Sequence, residues 1–242
     1  MLEGIDVYLK DESTHPTGSL KHRLARSLFL YAISNGWIGP NTPIIESSSG
    51  STAVSEAYFA RLLGLPFIAV VPRKTASKKI EMIKFYGGKP HFVERSDEIY
   101  AESHRLAEEL NGHYMGNKDL TLQCGSRIEG IGRPRVEPSF IPGVIDEMRT
   151  ISDVESVATV RWLENILGRK AGASTGTNLF GALQLACEMQ QQGEKGSIVT
   201  LLCDSGERYL DTYYNEEWVT ENIGDLTPVL SQLEEFGKTG LL

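Results

Sequence analysis

The sequence predicts an α/β fold of parallel sheets flanked by helices, and three observations carry that reading. Short apolar runs alternate with helix-length segments from Val7 to Met115, the rhythm of strand–helix–strand units. Pro66-Phe-Ile-Ala-Val-Val71 is apolar on both faces, as a strand covered by helices on each side must be. Glycine and proline close the segments at Gly36, Gly64 and Gly87-Gly88.

Taken in order, Val7 to Ser13 reads as a strand. Ser19 to Asn35 reads as a helix with Leu20, Leu24, Leu28 and Tyr31 on one stripe. Pro43 to Glu46 is a short strand that ends in a serine-rich turn. Thr52 to Leu63 is an alanine-rich helix, Ala76 to Tyr86 another, and Pro90 to Glu94 a strand. Asp97 to Asn111 is amphipathic, and His113-Tyr-Met115 opens a further strand. The second half is more helical: Pro142 to Met148, Ser152 to Leu167 with Asp153 and Glu155 in its first turn, and Thr177 to Gln192. Gly196 to Leu202 reads as a buried strand. The tail from Glu216 to Leu242 reads as one peripheral helix with loose ends.

Composition bounds the function. The 242 residues suffice for one large or two small domains, and 40% hydrophobic with 23% charged residues is an ordinary globular balance. A net charge of −8 argues against a nucleic-acid surface but leaves room for a local phosphate pocket. No apolar run reaches the roughly 18 residues a membrane span needs. Residues 1–6 lack the charged and apolar regions of a secretory signal. Cys124, Cys187 and Cys203 are odd in number and lack metal-like spacing, so reduced thiols, a cytoplasmic location and no metal site are expected.

Pro16-Thr-Gly-Ser-Leu-Lys-His-Arg23 is the most informative stretch. A turn built on Pro16 and Gly18 opens a helix and puts Lys21 in its first turn. A helix N-terminus is partially positive and disfavours a cation, and a lysine amine activated by such surroundings forms Schiff bases. Four further elements come after it in order: Glu46-Ser-Ser-Ser-Gly-Ser-Thr52, Ile128-Glu-Gly-Ile-Gly132, Gly172-Ala-Ser-Thr-Gly-Thr177 and Asp204-Ser-Gly-Glu-Arg-Tyr-Leu210.

Together the five resemble the fold-type II pyridoxal-phosphate enzymes of the cysteine synthase and cystathionine β-synthase family. The wording of His15–Arg23 and of Gly130-Ile-Gly-Arg-Pro-Arg-Val-Glu-Pro138 is nearest to the L-cysteine desulfhydrase branch. The resemblance implies a two-domain, tryptophan synthase β-like architecture. Residues 41–117 would form the smaller mobile domain, and residues 1–40 with 118–242 the larger, with pyridoxal 5'-phosphate between them. It implies Lys21 as Schiff-base lysine and proton carrier, and Ser48, Ser49 and Thr52 as the seat of the substrate carboxylate. Ser51 stands where the family has an asparagine against the cofactor ring. Gly130 would let the backbone approach the ligand, although a plain turn before Pro134 reads equally well. Ser174, with Thr175 beside it, would meet the pyridine nitrogen, unless Ser174 or Thr177 merely caps the next helix. Asp204 and Arg208 are expected to pair structurally.

The implied reaction is β-elimination on L-cysteine, giving sulfide, pyruvate and ammonia. The alternatives are a cysteine synthase acting on O-acetylserine and sulfide, and an inactive truncated relic or interaction protein. A homodimer is implied too, with Thr177 to Gln192 more apolar than one face needs. In one respect the sequence departs from the family. Only Gly116 to Arg127 separate Met115 from Ile128, and neither a Gly-Thr-Gly-Gly-Thr phosphate loop nor the family's Gln-Phe segment is present. Either a segment is omitted here or it has been deleted. A deletion would leave unpaired sheet edges and an unfilled core, which favours omission.

Overall fold

A computed structural model describes residues 2–48, 50–115, 126–129, 131 and 141–242. The chain divides into two compact units, His15–Asp119 and Met1–Thr14 with Leu120–Leu242. The sequence reading set the boundary near residue 41. The contacts instead group residues 15–40 with residues 41–119, because the helix that the earlier residues contain packs inside the same core.

Strand β1 (Ile5–Asp11) belongs to the unit that includes both chain ends. The His15–Asp119 unit runs α1 (Lys21–Ser34), β2 (Ile44–Glu46), α2 (Ser51–Leu62), β3 (Phe67–Pro72), α3 (Ser77–Phe85), β4 (Lys89–Val93), α4 (Ile99–Glu109) and β5 (His113–Tyr114). Its strands form one parallel sheet in the order β4-β3-β2-β5. Alternation sorts the side chains between two cores. Ile44, Phe67, Ala69 and Val71 share one cluster with Phe29 and Ala32 of α1 and Ala53, Ala57 and Ala60 of α2. Ile45 and Val70 share the other with Val93 and Leu106. The small alanines of α2 let α1 and the sheet approach it closely. Each fully buried isoleucine or valine here contributes about 1.5–3 kcal/mol.

The other unit continues with α5 (Asp153–Leu167), α6 (Ala173–Gln191), β6 (Gly196–Leu202), α7 (Glu216–Asn222) and α8 (Thr227–Thr239). Here β6 pairs in parallel with β1, from Ile5 against Gly196 to Asp11 against Leu202. Helix α5 starts on a capping box: Ser152 Oγ accepts from Glu155 N–H at 3.2 Å, and Glu155 Oε2 accepts from Ser152 N–H at 2.6 Å. Helix α6 lies tight against α5, since a Cβ on Gly176 would stand 1.9 Å from the Ser156 carbonyl oxygen. Phe180, Leu183 and Cys187 of α6 pack with Leu163 of α5 and with Leu233 and Phe236 of α8.

Four sequence expectations change. Strand β6, read as buried, exposes Gly196, Ser197, Val199 and Leu201 and buries Leu202 alone. Helix α6 begins at Ala173, not Thr177, so the glycine- and threonine-rich motif is its first turn rather than a loop. Over 142–148 only Pro142–Val144 forms a turn of 3-10 helix. The tail holds two helices, and Val219, Leu233 and Phe236 are buried in cores, so it is part of the unit rather than peripheral. No described helix is long and apolar enough to cross a membrane.

Candidate active site

Lys21 is the first residue of α1, and a clamped turn puts it there. His15 C=O accepts from Gly18 N–H at 2.7 Å, and Gly18 takes φ +64°, a left-handed conformation that glycine adopts without strain. The buried Thr17 hydroxyl lies 3.0 Å from Ser55 Oγ of α2 and 3.1 Å from His22 Nδ1. Tyr86, just past α3, donates its hydroxyl to the Pro16 carbonyl at 2.9 Å. The His22 ring stacks on His15 at 5.0 Å and leans on Phe59 at 4.7 Å. Burial, then the charges of His15, Arg23 and Arg26, hold His22 below the usual histidine range, so it is neutral at pH 7. Sequence reasoning missed Ser55, His22 and Tyr86, whose only signal was proximity in the fold. Lys21 itself is half-buried, and among the described residues no carboxylate pairs with its ammonium. Lys10, Lys170 and Lys238, by contrast, are bonded to Glu12, Glu164 and Glu235.

The serine turn lies in the same unit. Gly50 is the N-cap of α2 and brings no capping side chain, and the partially positive start of this 12-residue helix favours an anion. Ser48 Oγ accepts from Gly50 N–H at 3.2 Å, which shapes the turn. Ser47 and Tyr114 meet through their hydroxyls at 2.6 Å. Ser48, Ser51 and Thr52 are half-buried around this helix start. Ser49 lies outside the described residues. Deeper in, Glu56 of α2 is fully buried beside Glu46 at the end of β2. Burial, then the Glu46 carboxylate, push Glu56 well above the usual carboxylate range, so it keeps its proton.

In the other unit the hydroxyls at the start of α6 have different partners. Thr175 is fully buried, and its Oγ1 accepts from Cys203 N–H at 3.0 Å, which fastens α6 to the end of β6. Thr177 bonds the Ala173 carbonyl at 3.3 Å and meets Ser156 Oγ at 2.7 Å. Ser174, also buried, has among the described residues only a long 3.5 Å contact, with Asp204 Oδ1, and its hydroxyl has capacity for another partner. Neither Ser174 nor Thr177 caps the helix, whose N-cap is Gly172. Asp204 accepts from the Tyr209 hydroxyl at 2.7 Å, and burial and the Asp204 charge push Tyr209 well above its ordinary range. Of the third motif, Ile128 is buried in the core with Tyr213, whose hydroxyl donates to the Arg127 carbonyl at 3.0 Å and accepts from Glu129 N–H at 2.8 Å. Gly130 lies outside the described residues, as does Cys124. Among the described residues no group of three His, Cys, Asp or Glu side chains could hold a metal.

The family of pyridoxal-phosphate dependent enzymes matches residues 2–120. The chain is 43% identical to the L-cysteine desulfhydrase of Mycobacterium tuberculosis, over 97% of this chain and 85% of that protein. It is 29% identical to a putative cysteine synthase of Sinorhizobium fredii, over 89% and 85%. The fold matches the crystal structure of a cysteine synthase from Entamoeba histolytica with a TM-score of 0.80 at 19% identity, covering 96% of this chain and 88% of that one. The chain belongs to the pyridoxal-phosphate dependent enzyme family, with the parallel-sheet architecture of its fold-type II members, and its cofactor is pyridoxal phosphate. Within the His15–Asp119 unit the residues present suit one end of that group, because a half-buried lysine that no described carboxylate pairs with suits its aldehyde. For the phosphate the sequence offers no Gly-Thr-Gly-Gly-Thr loop.

Proposed function

We propose that this chain catalyses β-elimination on L-cysteine, with water completing the reaction to sulfide, pyruvate and ammonia. The observation that carries the proposal is the 43% identity to an L-cysteine desulfhydrase over 97% of the chain. When bound, the cofactor supplies an electron sink for the charge that develops at the substrate α-carbon. Lys21 Nζ would hold the cofactor through its aldehyde carbon, and the free amine would take the substrate α-proton, kept aimed by its position at a clamped helix start. The positive N-terminal end of α2, with Ser48, Ser49 and Thr52, receives the substrate carboxylate. Ser51 supports the ring hydroxyl, and Gly130 leaves room for the backbone to approach. Ser174 hydrogen-bonds the pyridine nitrogen as a neutral partner, which leaves the ring unprotonated and suits elimination over transamination. Thr175 supports that turn from beneath.

A second reading, β-replacement of O-acetylserine by sulfide, is favoured by the 29% identity to a putative cysteine synthase. Product analysis separates the two. Cysteine alone yields sulfide and pyruvate if the first reading holds. Formation of cysteine from O-acetylserine and sulfide, without breakdown of cysteine alone, replaces it with the second. We read the enzyme as a cytoplasmic homodimer. The buried thiols Cys187 and Cys203 agree with a reducing compartment. The apolar side chains of α6 are spent inside their own unit, so support for a dimer moves to α1 and the loop after it, where Leu30, Tyr31 and Trp37 are exposed.

A further inference from the structure

Two carboxyl side chains bracket the turn from β2 into α2. Glu46 is the last residue of β2, and Glu56 lies in the second turn of α2, one turn beyond Thr52 on the same face. Both are buried, Glu56 at 0% exposure and Glu46 at 6%. Among the described residues no N–H or O–H donor reaches either carboxyl oxygen of Glu56. The side chain within hydrogen-bonding reach is the Glu46 carboxyl, which as a carboxylate only accepts. Among the described elements packed on α2, the basic residues of α1 and α3 do not reach Glu56 and β3 has no charged residue, so Glu46 is the charged group that acts on it. Two carboxylates in contact and out of water repel each other and lack solvation, and one proton between them relieves both costs.

We propose that one proton shared by Glu46 and Glu56 latches the two ends of the serine turn together and so positions the seat of the substrate carboxylate. Glu56 donates its O–H to Glu46, which closes the chain from the end of β2 to the second turn of α2 into a ring. Inside that ring Gly50 N–H bonds Ser48 Oγ at 3.2 Å and Val54 N–H bonds the Gly50 carbonyl at 3.3 Å, long bonds that the latch preserves. Loss of the proton as pH rises puts two negative charges behind Thr52 and drives the ends of the turn apart. Glu56 acts through the turn, so it is a positioning residue. The inference rests on the proposed seat at the start of α2 but not on which reaction follows.

Hydrogen–deuterium exchange of the full chain, without cofactor, from about pH 5 to 9 tests it, each rate being divided by the intrinsic rate at that pH. Protection of the Gly50 and Val54 amides is expected to fall at least about tenfold as pH rises, while the β3 amides keep theirs. Glu56→Gln and Glu46→Gln each leave one amide donor facing one carboxylate acceptor, and both are expected to hold the protection constant. In the cofactor-loaded enzyme the KM for cysteine is expected to rise with pH more steeply in the native chain than in Glu56→Gln, with parallel kcat profiles. The ionisation of cysteine itself is common to both proteins. Turn protection that does not change with pH in the native chain overturns the proposal, even if neither variant folds. So does an equal fall in Glu56→Gln, a fall of the same size in the β3 amides, or a KM ratio between the two proteins that is constant with pH. The exchange result does not depend on whether the chain cleaves cysteine, so a failed latch and a failed reaction reading are told apart.

Discussion

Ser174 and Thr175 are neighbours in sequence and opposites in use. Thr175 is spent on the Cys203 amide, whereas Ser174 keeps a hydroxyl with one long contact. Sequence could not separate them, because the phase of α6 decides which hydroxyl points into the core, and the helix starts four residues before the expected position. Thr175→Val is expected to lower stability by about 1–3 kcal/mol, since it leaves the buried Cys203 amide without an acceptor. Ser174→Ala is expected to keep the fold and the visible absorbance of the bound cofactor and to slow elimination roughly two- to tenfold, about 0.5–1.5 kcal/mol. Chemical denaturation and steady-state rates of both variants check this pair. The reverse pattern would exchange their roles.

At the same scale Glu56 makes a pH prediction. Its folded-state range lies well above the unfolded value of about 4.5, because burial and Glu46 favour the protonated form. Between those two values the folded chain binds the extra proton. This contribution to stability is therefore whole below about pH 4.5 and is lost as pH rises through the folded value. Glu56→Gln, which cannot ionise, is expected to flatten that loss. Melting temperatures from about pH 5 to 9 that fall equally in both proteins would contradict it. No periodicity in the sequence marked Glu56. It became visible only when α2 was laid against the end of β2.

Among the elements, the strands and helices of the His15–Asp119 unit were legible within a residue or two, since glycine, proline or serine turns bound them. The face of α1 was not: the expected stripe of Leu20, Leu24, Leu28 and Tyr31 leaves Leu24 and Tyr31 exposed, and Ala25, Phe29 and Ala32 are the buried face. The Lys21 turn was legible as a motif, but its clamps were not, since Ser55 and Tyr86 come from elements whose own pattern says only helix. The tail was misread at α7, which buries Val219 alone and shows no period, whereas α8 does carry one in Val229, Leu230, Leu233 and Phe236. The α5–α6 contact yields an element-scale prediction. Gly176→Ala forces a Cβ against the Ser156 carbonyl oxygen, 1.9 Å from that position. It is expected to cost about 3 kcal/mol or to separate the helices, read as a lower denaturation midpoint. An unchanged midpoint would mean the two helices can part at no cost.

For the molecule as a whole, the family was legible because its motifs sit at element junctions, where turn chemistry leaves a strong local signature. The elimination chemistry was legible only through resemblance, since β-elimination and β-replacement draw on one set of side chains. The central claim is that one lysine, held at the start of α1, carries the cofactor. Borohydride reduction of the protein after incubation with pyridoxal phosphate, followed by peptide mapping, tests it most directly. The account predicts a stable label on Lys21 and none in Lys21→Ala. A label on another lysine, or a Lys21→Ala protein that still takes up label and releases sulfide, would contradict it.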